Sequence, residues 1–529
     1  MDLTPDPSRP SGRVPVATAP LGAPTVESTS PTSTVTAPTN PSGRVTRRSL
    51  RAAAERAAQQ AAEQAPRTAE PAAQQTAQQA AEQAAQQTVE RARAQEDEHV
   101  VEHPTAQPEP APTRRSRRAR RAAPQAEAAR TVVDVDVVVI GAGQAGLSAA
   151  YHLHRSGLVP VGDRDWQRAD ATFVVLDDAP APGGAWQHRP PGMRVTDAHG
   201  VHDLPGMPLL VPDPTESAAK AVPYYFAQYE EAFGLHVQRP VTVTRVEEED
   251  PGVPGGRLLV TSQLVDEPGV GVVWRARGVV NASGTWRKPF WPTYPGRAAF
   301  RGRQVHSRDV HDPAALADGH VVVVGGGTSA AQLLLALAEV TTTTWVTRRP
   351  PAWRDGQLTP ELGRAAVALV AERTRAGLPP GSIVSVTGLP LTDAYRAGIA
   401  AGVLRARPPF SRIVADGVVW DDPVPPPVPA APELDGDDGV VPGLGAWVGG
   451  DAHVEARTIV WATGYRPALD HLAPLRLRSA RGGVVMDGTR VAADPRLHLV
   501  GYGPSASTIG ANRAGRDAVR ELLEHLELR

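Results

Sequence analysis

Hydrophobic positions divide this chain into two unlike parts. From residue 131 onward, short apolar runs alternate with glycine-punctuated turns and with Ala- and Leu-rich stretches. That alternation predicts strands followed by helices, hence an α/β fold with parallel strands. The clearest unit is Val135-Asp136-Val137-Val138-Val139-Ile140, then Gly141-Ala142-Gly143-Gln144-Ala145-Gly146, then Leu147-Ser148-Ala149-Ala150. It reads as strand, tight turn, helix. The unit recurs as His320-Val321-Val322-Val323-Val324, Gly325-Gly326-Gly327-Thr328-Ser329-Ala330 and a second Leu- and Ala-rich helix.

Weaker signals fill the intervals. Thr172-Phe173-Val174-Val175-Leu176 predicts a strand ending at Asp177-Asp178, with polar residues 162–170 as a surface insertion before it. Residues 223–233 carry aromatic side chains at helical spacing. Residues 241–246, 257–261 and 271–276 predict neighbouring hairpin strands, and 279–284 a strand running into a small-residue turn. Further strands are expected at 341–346, 458–461 and 497–501, a surface loop at 421–450 and a last helix from about residue 511.

Residues 1–130 show none of this. They begin with Pro, Thr, Ser and Ala, and continue with Ala-Ala-Gln-Gln and Ala-Ala-Glu-Gln repeats that lack a Leu or Ile seam. Such a segment cannot bury a core, so a disordered low-complexity tail is expected. Its basic run Arg114-Arg115-Ser116-Arg117-Arg118-Ala119-Arg120-Arg121 is read as a solvated linker charge run and not as a nucleic-acid or lipid contact.

Composition narrows the chemistry. The 529 residues contain no cysteine and carry a formal net charge of -2. Disulfides, thiolate metal sites and redox-active Cys pairs are excluded. Near-neutral charge predicts neither nucleic acid nor a membrane surface as partner. Arg47-Arg48-Ser49-Leu50 is followed by no apolar segment, so an export signal is rejected, and no apolar run reaches membrane-spanning length. A soluble cytoplasmic protein is the expectation, with no metal site.

Both glycine units match the dinucleotide-binding fingerprint. Gly141 permits the tight turn, Gly143 lets backbone approach a pyrophosphate, and Gly146 lets helix and strand pack closely. Gly325, Gly327, Ser329 and Ala330 form the Gly-x-Gly-x-x-Ala variant. A carboxylate at the end of the next strand accepts from ribose hydroxyls, and Asp177 is preferred to Asp178 because it comes first. Paired Gly183-Gly184, followed by Trp186, lets backbone amides lie against a flat or anionic ligand. After the second fingerprint the strand ends at Thr347-Arg348-Arg349. Guanidinium groups there suit a 2′-phosphate and favour NADPH over NADH.

These features together resemble one family: two fingerprints, Gly183-Gly184-Ala185-Trp186, Asn281-Ala282-Ser283-Gly284, and Ala462-Thr463-Gly464-Tyr465. Residues 131–529 look like the FAD- and NADPH-dependent class B flavoprotein monooxygenases, which comprise the flavin-containing, Baeyer–Villiger and N-hydroxylating enzymes and their bacterial relatives. The family signature Phe-x-Gly-x-x-x-His stands here as Phe300-x-Gly302-x-x-x-His306, but Val310 replaces the aromatic that follows. The resemblance implies two Rossmann-like domains, an FAD domain with an inserted NADPH domain. It divides the chain into the tail (1–130), FAD domain (131–315), NADPH domain (316–455) and returning FAD segment (456–529).

By the same resemblance FAD is held by the first fingerprint with Asp177, Gly183, Gly184, Trp186 and Gly284, and by Gly501, Thr508 and Ile509 in the segment that closes over the flavin. NADPH is held by the second fingerprint with Arg348 and Arg349, and Thr463 and Gly464 are further cofactor-binding positions. Asp197 is placed facing the flavin, and His306 at the domain junction. The implied reaction reduces FAD with NADPH and inserts one oxygen atom of dioxygen into a small organic substrate through a peroxyflavin. A flavoprotein reductase or oxidase without oxygen transfer, and a non-catalytic redox sensor, share the same fold. Substrate and oligomeric state are not legible.

Overall fold

The computed structural model describes residues 131–528 apart from 198–200, 212, 214, 254, 357–358, 382–383, 423–439 and 442. The expected disordered tail and most of the 421–450 loop lie outside the described residues.

The first sheet is organised around β1 (Thr131–Ile140), whose last four residues are all buried. Burial on both faces explains its nearly unbroken valine run. Alternate residues serve different layers: Val137 and Val139 join one core, Val138 and Ile140 another. β1 pairs in parallel with β3 (Thr172–Leu176) and β6 (Gly271–Asn281), and β2 (Val159–Pro160) extends the sheet beyond β3. β6 is one continuous strand where two were expected. Its first half pairs antiparallel with β5 (Leu258–Leu264), itself paired with β4 (Val241–Glu248); its last residues pair in parallel with β19 (Asp494–Leu499). β17 (Met486–Asp487) and β18 (Arg490–Val491) continue the edge. Helices α1 (Gln144–Arg155), α2 (Ala218–Ala232) and α7 (Thr508–His525) pack with the Val137 and Val139 face through Leu147, Leu153, Phe226, Val519 and Leu522.

The second sheet is wholly parallel, in the order β12 (Ala406–Arg407), β9 (Thr343–Val346), β8 (Val321–Val324), β16 (Thr458–Trp461), β7 (Arg303–His306). Val321 and Val323 pack against α3 (Thr328–Ala338), while Val322 and Val324 face Trp420 and Trp461 on the other side. Smaller pieces surround it: β10 (Trp353–Arg354) beside β11 (Leu389–Pro390), β13 (Arg412–Val414), β14 (Gly417–Val419) and β15 (His453–Glu455), and helices α4 (Pro360–Arg375), α5 (Val384–Thr387) and α6 (Asp393–Ala400).

Strand pairing corrects the expected division. β7 and β16 both hydrogen-bond into the second sheet, so the inserted unit takes in residues expected on either side of 316–455. Two connections therefore join the sheets, one after β6 and one after β16. They pair with each other: Phe290 N–H donates to Gly464 O at 2.9 Å, Arg466 N–H to Lys288 O at 2.8 Å, and Ala468 N–H to Gly284 O at 3.0 Å. Among the described residues no helix is long and apolar enough to cross a membrane.

Candidate functional site: two glycine cradles and their junction

The first cradle opens at the end of β1. Gly141 has φ +97°, and a Cβ there would stand 2.6 Å from Ala282 O, so the position admits only glycine. A Cβ on Gly146 would lie 1.8 Å from Gly141 O, which shows how tightly α1 is drawn against the strand. Gly143 differs: a Cβ there would meet nothing within 4 Å. It is the N-cap of α1, and no side chain caps that helix. By contrast Thr359, Thr392 and Ser507 cap α4, α6 and α7 by accepting from backbone N–H groups. The first turn of α1 thus directs orphan N–H groups at open space, which suits a phosphate. Gly183 and Gly184, both at positive φ, cross over it: a Cβ on Gly184 would lie 2.9 Å from Gly143 Cα. Gly501, at φ +76°, lies against Ala145. Asn512 on α7 accepts from Gln144 Nε2 at 3.0 Å. The side chains of Thr508 and Ile509 lie outside the described part; the backbone of both forms the first turn of α7.

Asp177 ends β3 as expected and is buried. Its Oδ2 accepts from Arg239 Nε at 2.9 Å, and the same guanidinium grips Glu230 through both Nη atoms at 2.5 and 2.7 Å. Burial pushes the Glu230 carboxyl up while Arg239 pulls it down. Arg239 orients Asp177, and sequence reading missed it, because the partners are 62 residues apart and no local pattern joins them. Asp178 is more exposed and pairs with Arg287.

The second cradle repeats the first. Gly325 at φ +146° abuts Ala462 O, Gly327 is the uncapped N-cap of α3, and a Cβ on Gly327 would meet nothing within 4 Å. Ser329 and Ala330 lie in the first turn of that helix. Arg348 and Arg349 follow β9 on the exposed surface, and neither pairs with a carboxylate among the described residues. Thr347 before them is buried and accepts from Trp447 Nε1 at 2.9 Å. Strand β9 starts two residues later than expected, and the two ring nitrogens of His320 meet the Thr342 and Thr344 hydroxyls at 2.8 and 2.9 Å.

His306 is fully buried at the end of β7. Its Nδ1 accepts from Arg308 N–H at 3.2 Å, so Nε2 carries the proton and donates to Gly464 O at 3.1 Å. Burial lowers its pKa, which keeps the ring neutral. It therefore ties the β7 end to the Thr463-Gly464-Tyr465 turn. Thr463 in turn donates its hydroxyl to Phe290 O. Trp291 and Tyr465 lie 5.9 and 5.3 Å from the His306 ring, while Val310 packs against the core of the second sheet beside Val321 and Val323. The signature glycine is forced as well, since a Cβ on Gly302 would strike the Phe300 ring and Arg457 O. Asp197 ends a short 3₁₀ turn, Val195–Asp197, anchored by Val195 N–H to Glu216 O; its side chain lies outside the described part. Trp186 sits in the 3₁₀ turn after Gly183, beneath the Arg189 guanidinium. Gly284, exposed at φ +65°, begins the first connection. Sequence reading missed the ring cluster of His188, Trp286 and Tyr465 at this junction. Among the described residues no His, Asp and Glu group is arranged to hold a metal.

Residues 138–363 match the pyridine nucleotide-disulphide oxidoreductase family. The flavin-containing monooxygenase of Stenotrophomonas maltophilia is 33% identical with a TM-score of 0.54, over 74% of this chain and 99% of that one. An FAD-dependent monooxygenase of Pyrenophora dematioidea is 30% identical over 181 residues, 33% of this chain and 31% of its own. The uncharacterized oxidoreductase CzcO of Bacillus velezensis is 28% identical over 192 residues, 35% of this chain and 47% of its own. The chain thus spans about half the length, or less, of these curated relatives. The chain belongs to the flavoprotein monooxygenase family. With no cysteine in the sequence, the disulphide chemistry in the broader family's description cannot proceed through a cysteine pair here.

Proposed function

We propose that the protein is an FAD- and NADPH-dependent monooxygenase that inserts one atom of dioxygen into a small organic substrate. The observation that carries this reading is the pair of open, uncapped glycine cradles, at Gly143 and at Gly327, joined by paired connections. FAD fits the first, with Gly141, Gly146, Asp177, Gly183, Gly184, Trp186, Gly284 and Gly501 and the α7 start at Thr508 and Ile509 around it. NADPH fits the second, with Ser329, Ala330, Thr463, Gly464 and with Arg348 and Arg349, which have no carboxylate partner among the described residues. When bound, the two cofactors supply the hydride and the activation of dioxygen: NADPH gives two electrons, one oxygen atom enters the substrate and the other leaves as water.

The chain's own residues bind, orient and exclude water. The helix N-termini take the pyrophosphates. Arg239 holds Asp177 toward the ribose. His306 is a positioning residue that fixes the Gly464 turn from behind, and the family resemblance assigns Asp197 to the flavin side. Neither needs to carry hydride, so Asp197→Ala and His306→Ala are expected to bind FAD and oxidise NADPH while diverting electrons to hydrogen peroxide, as water enters a less well sealed site. The test is turnover under ¹⁸O₂ with amine, sulfide and ketone substrates, measuring label in product against peroxide. Complete recovery of NADPH electrons as peroxide with every substrate would reject the reading in favour of a plain oxidase.

A further inference from the structure

Where the two connections meet, three rings stack. His188 lies flat on Trp286, with centroids 5.1 Å apart and planes at 3°, and Trp286 meets Tyr465 at 5.3 Å and 28°. The Arg308 guanidinium stands 5.1 Å over Trp286 and its Nη1 donates to the Trp286 carbonyl at 3.0 Å. Arg189 follows His188 in the chain, and its guanidinium lies 5.3 Å over Trp186.

The charges here do not balance. Arg308 pairs with Asp309 and Arg287 with Asp178. The Arg189 guanidinium has no carboxylate partner and makes no hydrogen bond among the described residues. Its Nε is buried without an acceptor, and so is Trp286 Nε1. Burial pulls the Arg189 guanidinium below its usual pKa, and His188 is lowered by burial and then by Arg308, Arg287 and His311. A guanidinium without a carboxylate partner among the described residues thus stands beside one partly exposed aromatic surface. The phosphates of the two nucleotides are already provided for at the α1 and α3 N-termini.

Building on the monooxygenase reading, we propose that this junction recognises a planar organic anion as substrate, an aryl carboxylate in its simplest form. The carboxylate pairs with the Arg189 guanidinium, and the aryl ring packs against the partly exposed faces of His188, Trp286 and Tyr465. Guanidinium and carboxylate are matched in shape as well as charge. The anion closes the positive site and presents its ring substituent at the junction of the two cradles.

The test uses the FAD-loaded full chain and two probe pairs. Calorimetry compares 4-methoxybenzoate with neutral anisole, and turnover compares 4-(methylthio)benzoate with thioanisole. Wild type is expected to prefer each anion at least tenfold. Arg189→Gln should bring both ratios close to one, and Arg189→Lys should restore part of the preference. Equal binding of anion and neutral probe by wild type overturns the proposal, as does an unchanged ratio in Arg189→Gln. So does an Arg189→Gln defect confined to NADPH affinity, which would assign the guanidinium to a cofactor phosphate. Preferential anion binding with peroxide and no sulfoxide as product would uphold the anion site and reject the monooxygenase reading.

Discussion

Gly184 crosses over Gly143 so closely that a Cβ on Gly184 would stand 2.9 Å from the Gly143 Cα, yet a Cβ on Gly143 itself would touch nothing. The same loop is therefore closed on one side by protein and open on the other. That asymmetry separates folding from binding. Gly143→Ala should leave the flavin-free protein within about 0.5 kcal/mol of wild type, as a substitution into open space does, while weakening FAD tenfold or more because the methyl group occupies the pyrophosphate's place. Gly146→Ala, whose Cβ would be 1.8 Å from Gly141 O, should lower both stability and flavin content. Urea unfolding of the flavin-free proteins and flavin titration of each decide it. Equal FAD affinity in Gly143→Ala would remove the cradle from the cofactor site.

Arg348 and Arg349 are exposed and have no carboxylate partner among the described residues, so they contribute little to the fold. Charge-assisted contacts to a phosphate are worth about 1.5–3 kcal/mol each. Replacing both by alanine should raise the KM for NADPH by a factor of roughly ten or more and leave the KM for NADH and the unfolding midpoint nearly unchanged. An equal loss for the two nucleotides would mean that the arginines do not read the 2′-phosphate.

The glycine turns were legible because their geometry is local: strand, positive-φ glycine and helix follow one another in the chain. The paired ends of Asp177 and Arg348-Arg349 were legible for the same reason. What was hidden depends on contacts between distant segments. Nothing near Arg239 marks it as the partner of Asp177, and nothing near His188 marks its stack with Trp286, 98 positions on. The sheet boundary was misplaced because β7 and β16 have strand character in either sheet. Only their pairing with β8 and with each other decides which.

Arg239 offers a direct test of such a distant contact. It joins the buried Asp177 to Glu230 with three hydrogen bonds. Arg239→Met would leave two carboxylates buried without a cation, which costs about 3–5 kcal/mol. Arg239→Lys should recover only part, since an ammonium cannot span both partners as the planar fork does. Denaturant midpoints of the flavin-free proteins measure this. A loss below about 1 kcal/mol for Arg239→Met would show that the network adds nothing to stability.

Acid should weaken the first sheet through its histidines. His498, fully buried on β19, and His471, which donates to Asn281 Oδ1 at 2.7 Å, are each pushed down to about 4 by burial. In the unfolded chain a histidine titrates near 6.5. Above that pH both states leave the rings neutral and the stabilisation is complete. As the pH falls below about 6.5 the unfolded chain binds protons that the folded protein refuses, so stability declines until the folded rings titrate near 4. For the better buried His498 the loss amounts to roughly 2 kcal/mol by pH 5. His498→Gln keeps a partner for the Thr489 hydroxyl, which His498 Nδ1 meets at 2.9 Å, and has nothing to titrate. The stability difference between pH 7.5 and pH 5, from urea unfolding, should therefore shrink by roughly 2 kcal/mol in this variant. The same decline in variant and wild type would assign the acid sensitivity to other groups.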